Sequence, residues 1–117
     1  MTRDATVTHK YLEDLCDLTT AAHTRIQQDF KTLDPVVGVS QKMRAGGIPA
    51  DVMTIDCLKS GKRIIIILHD QQPETLIYQF SFKDKEPGDE FENMPATELK
   101  EETLYSWMKD YFLRAEH

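Results

Sequence analysis

The chain has only two cysteines, Cys16 and Cys57, and this excludes a disulfide framework or a cysteine-built metal knuckle. Both read as small buried hydrophobes. The histidines, His9, His23, His69 and His117, match no zinc spacing and include no His-Glu-Xaa-Xaa-His pattern, so no metal is expected. No cofactor-binding motif is found either. ArgAlaGlyGlyIlePro, at 44–49, lacks the glycine spacing and the Lys-Ser/Thr ending of a phosphate-cradling loop, and reads as a flexible connection. Apolar runs are short as well. No window approaches eighteen apolar residues, and MTRDATVTHK carries no stretch of the kind a secretory signal needs. The expected address is therefore the cytoplasm, with no membrane contact. Basic residues are in deficit, 14 against 20 acids. The net charge of −6 argues against nucleic acid, whose binders need a basic stripe to release phosphate counterions.

What is present suits one folded domain spanning 1–117. Apolar residues make up 40% and charged residues 29%, enough for a core and a solvated surface. Over residues 9–33, Leu12, Leu15, Ala22, Ile26, Phe30 and Leu33 fall at helical spacing, with Thr6 or Thr8 as the cap and Asp34-Pro35 as the stop. A second helix is expected over 97–114. Thr97 is its expected cap, and Leu104, Trp107, Met108, Tyr111, Phe112 and Ala115 form its stripe. Between the helices the period drops to two, giving four strands at 36–43, 52–58, 62–69 and 75–83. The fold class expected is α+β: a two-layer, four-stranded antiparallel meander with an N-terminal and a C-terminal helix on one face, in the order α-β-β-β-β-α. The connection over 84–96 is acid-rich and is expected to be an exposed, mobile loop.

Connections this short force antiparallel neighbours. A two-residue Ser60-Gly61 hairpin sets Lys59 opposite Lys62, Cys57 opposite Ile64, Ile55 opposite Ile66 and Met53 opposite Leu68. A loop at 70–74 sets Leu68, Ile66 and Ile64 opposite Leu76, Tyr78 and Phe80. All these pairs but the two lysines are apolar. Even-numbered isoleucines, with Met53, Ile55, Cys57, Leu76, Tyr78, Phe80 and Phe82, then face the helices. Val52, Thr54, Asp56, Arg63, Ile65, Ile67, His69, Thr75, Ile77, Gln79 and Ser81 fall on the reverse face.

That reverse face is the functional signal. Val52, Ile65, Ile67 and Ile77 cluster there within a rim that includes Arg63, His69 and Gln79, the composition of an apolar contact with a polar border. Burying four such side chains contributes roughly 6 to 12 kcal/mol, at about 1.5 to 3 kcal/mol each, before association costs. A protein partner or a second copy of the chain is the expected occupant, and a non-enzymatic binding module, of adaptor, chaperone-like or inhibitor type, is the expected role. From Lys83 to Glu102 eight acids meet three lysines, a net −5 that can steer a basic partner.

The competing reading is a small enzyme or ligand-binding domain with its site near Arg44, His69 and Asp70. Against catalysis, adjacent strand residues such as His69 and Asp70 point to opposite faces, and no nucleophile accompanies His69. The layout of long first helix, twisted sheet and last helix on a small acidic chain resembles bacterial secretion chaperones of the type III class. The resemblance implies the holding of an extended partner segment, and transfers no residue roles.

Overall fold

The computed structural model describes residues 5–72, 74–83, 88 and 91–113, with 5–10 as backbone only. It is an α+β fold. A long helix α1 (Ala5–Asp29) precedes β1 (Val36–Ser40), a helical turn α2 (Lys42–Ala45) and the strands β2 (Ala50–Cys57), β3 (Lys62–His69) and β4 (Thr75–Phe82). A short strand β5 (Glu92–Pro95), a 3-10 turn (Ala96–Glu98) and helix α3 (Glu101–Leu113) follow. The strands form one antiparallel meander in chain order.

The sheet has five strands rather than four. β5 lies in the segment expected to be a loop, and pairs Met94 with Leu76 and Asn93 with Ile77. Its four residues, Glu-Asn-Met-Pro, give no alternating signal, and the strand pairs along the ladder that β4 offers. The other acid-rich positions, 84–87 and 89–90, lie outside the described residues, as do Ala115 and His117. The first strand stops at Ser40 instead of 43, and the chain turns helically through Lys42–Ala45.

β3 and β4 pair in the expected register. β2 and β3 do not: Cys57 lies opposite Lys62, Ile55 opposite Ile64 and Met53 opposite Ile66, a shift of two residues. The cause is a longer turn over 58–61, in which Gly61, at φ 76°, donates its N–H to Cys57 O at 2.8 Å. The shift removes the expected lysine pair and places Asp56 directly opposite Arg63. A slip of two keeps every side chain on its own face, so the parity of the sheet is unchanged.

Ile55, Ile64, Ile66 and Leu76 are buried with Met53 and Leu68 beneath α1 and α3. From α1 come Leu12, Leu15, Ala22 and Ile26, and Thr19 joins them by donating its hydroxyl to Leu15 O at 2.7 Å. α1 ends at Asp29, five residues before the expected stop at Asp34, and His23 Nε2 donates to Pro35 O at 2.8 Å to hold the exit into β1. α3 starts at Glu101, after the 3-10 turn that takes up Thr97. Its buried face is Leu104, Tyr105, Met108, Tyr111 and Phe112. Trp107 is half-buried and stacks on Tyr78, ring centres 4.5 Å apart.

Polar contacts fix the layers. Arg25 of α1 reaches Glu102 at 2.7 Å and Glu101 at 3.2 Å, and lies over the Tyr105 ring. The Tyr105 hydroxyl donates to Asp29, and that bond, with burial and the Asp29 charge, holds the phenol above its ordinary pKa. Lys62 is buried on the helix side, and its ammonium donates to Tyr111 O at 2.8 Å in the last turn of α3, where the helix dipole favours a cation.

Candidate functional site

The residues named from sequence share the reverse face of the sheet. Ser40, Val52, Ile67, Ile77 and Asn93 stand opposite one another in one row across all five strands. Val52, Ile67 and Ile77 are each half-buried. Ile65 is not available to a partner, at 5% exposure. It sits between Thr54 and Gln79, and Gln79 is bracketed by Gly88, whose N–H donates to Gln79 Oε1 at 3.2 Å and whose carbonyl accepts from Nε2 at 3.1 Å. Gly88 is thereby held beside Gln79 on this face. Arg63 is committed to Asp56 through two hydrogen bonds of 2.6 and 2.9 Å. His69 lies at the strand end, its Nδ1 accepting from Gln71 N at 3.1 Å.

The alternative centre at Arg44, His69 and Asp70 is assembled only in part. The α2 turn carries Arg44 to the end of the sheet, where its guanidinium forks onto two buried carboxylates. It donates to Asp70 at 2.8 and 3.0 Å and to Asp51 at 3.1 Å twice. Gln41 adds a bond to Asp51 at 3.3 Å. The hydrogen bonds to Asp70 and then Asp51 raise the Arg44 pKa despite some desolvation. Two acids neutralise one cation, so the cluster offers an incoming anion no surplus positive charge. His69 is on the opposite side, as strand parity requires. Asp51 was not among the residues named from sequence, because it falls just before the expected start of its strand.

A pronounced concavity lies elsewhere. A groove with a volume of about 680 Å³ runs between the first half of α1, the ends of β3 and β4, and the approach to α3. Its floor is apolar: Leu15, Leu68, Leu76 and Leu99 are buried there, with half-buried Leu18 and Ala96 at their edge. Its border is acidic. Asp14 and Asp17 stand exposed on α1, and among the described lining residues they face the cation Lys100, while Glu101, which opens α3, is already engaged by Arg25. The 3-10 turn before α3 contributes Ala96 and Thr97 to the lining of the groove. Leu18 was the available sequence signal, since it falls off the narrow stripe of Leu12, Leu15, Ala22 and Ile26 and so widens the apolar side of α1.

Nucleophile and metal chemistry have little to work with in the described part. Both cysteines are free, and the Cys16 thiol is pushed up by burial and by the charges of Asp17 and Glu13, which lowers its thiolate fraction. Among the described residues no three histidine, cysteine or carboxylate groups gather as a metal site would require, and no helix is long and apolar enough to cross a membrane. Comparison with protein-family models, curated proteins and solved structures finds no match for this chain.

Proposed function

We propose that this protein is a non-enzymatic binding module whose groove between α1 and α3 receives an apolar partner segment carrying lysine or arginine. The supporting observation is the groove itself: a leucine floor large enough for one or two side chains, bordered by the exposed carboxylates of Asp14 and Asp17. Its volume falls within the roughly 300 to 1,000 Å³ of ordinary ligand sites. Each leucine-sized side chain buried there contributes about 1.5 to 3 kcal/mol. The acids add on-rate and selection for a basic partner more than affinity, and the net −6 of the chain acts in the same sense. An adaptor, a chaperone of an extended segment or an inhibitor of a basic protein all fit this chemistry. A cytoplasmic working place belongs to the same proposal, in keeping with the two free thiols.

The half-buried row of Val52, Ile67 and Ile77 supports a second contact on the reverse face, for a partner or another copy. The enzymatic alternative at Arg44, His69 and Asp70 draws no support from the geometry, because the guanidinium is neutralised and the histidine is turned away.

Selection of peptides from a random displayed library tests the groove. The expected result is a common pattern of large apolar residues with lysine or arginine. Binding should be lost in Asp14→Lys/Asp17→Lys, whose exposed positions leave the fold intact. Selected peptides without such a pattern, or with undiminished binding to the double variant, would sink the proposal.

A further inference from the structure

The two edges of the sheet are built differently. β5 is a short edge of four residues that carries Glu92 and ends on Pro95, both features that discourage another strand from pairing. β1, VVGVS, has neither a charge nor a proline, and among the described residues it has a strand neighbour on one side only. Val36, Val37 and Val39 are 45%, 39% and 47% exposed. Val37 and Val39 lie opposite Ile55 and Met53, on the helix side of the sheet, yet the helices leave them uncovered. The turn that follows adds exposed Met43 and Ile48.

We infer that β1 pairs with β1 of a second copy of this chain, joining two five-stranded sheets edge to edge. The occupant follows from the strand itself. Antiparallel pairing about a two-fold axis at Gly38 sets Val37 opposite Val39 of the other copy, and Val39 opposite Val37, so four exposed valines close on one another on the helix side. On the reverse side Val36 meets Ser40. Two chains of net charge −6 repel over most of their surface, and β1 offers an uncharged strip on which they can meet. The backbone donors and acceptors of the outer edge supply the ladder. This inference is independent of the groove, which uses other elements.

Sedimentation as a function of concentration, on the full chain, tests the pairing. The wild type should show a reversible dimer. Val37→Lys/Val39→Lys places lysines opposite lysines and should weaken the dimer roughly tenfold or more, with an unchanged circular dichroism spectrum. Val37→Glu/Val39→Glu should weaken it likewise, and an equimolar mixture of the two variants should recover a heterodimer, which a folding defect could not produce. In a Cys16→Ser background, Gly38→Cys should form an intermolecular disulfide across the axis, because the added Cβ meets only Thr54 Oγ1 at 3.5 Å. Leu58→Cys, in the exposed turn, should form none. A wild type that stays monomeric at high concentration, or a dimer that neither charged variant weakens, would overturn the inference.

Discussion

Arg44 shows how much one side chain can organise when its partners are buried. Asp51 and Asp70 are almost wholly removed from water, and the guanidinium satisfies both while joining the α2 turn to β2 and to the end of β3. Breaking a buried pair leaves an uncompensated charge, so Arg44→Ala should cost about 3 kcal/mol in urea-denaturation midpoint analysis. Arg44→Lys should recover only part, because an ammonium cannot fork onto two carboxylates. A loss below about 0.5 kcal/mol, the size of an exposed ion pair, would contradict this assignment. Arg44 and Asp70 were visible in the sequence as neighbours at one end of the sheet, whereas their shared partner Asp51 was not. An aspartate at a strand boundary looks like a turn residue until a cation folds back onto it.

At the scale of elements, period and parity were legible, and lengths of turns were not. The run of four isoleucines alternates between faces as period two requires: Ile64 and Ile66 are sealed under the helices while Ile67 remains half-exposed. Ile66→Ala should therefore cost about 3 to 4 kcal/mol through lost burial and a cavity, against about 1 kcal/mol for Ile67→Ala, measured by thermal or chemical denaturation. Equal losses, or the reverse order, would place the wrong face inward. The β2–β3 register escaped the sequence because a two-residue and a four-residue turn give the same parity, and only the clash of Lys59 with Lys62 favoured the longer one. β5 escaped for a different reason: its residues carry no pattern, and its pairing is imposed by the open edge of β4. The last helix was correctly placed along most of its length, but its start was set three to four residues early, at Thr97, where a 3-10 turn intervenes.

At the scale of the whole molecule, the proposals rest on surfaces formed by the described residues: the groove on the helix layer, the row of Val52, Ile67 and Ile77 on the reverse face, and the uncharged edge at β1. The first combines concavity, an apolar floor and charge. The odd isoleucines of β3 announce the reverse face in the sequence, whereas the groove is a meeting of α1, β3, β4 and the turn before α3 that no local pattern encodes.

A charge exchange across the groove tests this account most directly. Affinities would be measured by fluorescence anisotropy for two labelled peptides with the same leucines, one bearing lysines and one bearing glutamates at the flanking positions, against the wild type and Asp14→Lys/Asp17→Lys. The wild type should prefer the lysine peptide and the variant the glutamate peptide, by roughly tenfold each way at low salt. Equal affinities in all four combinations, or binding that ignores the leucines, would contradict the account.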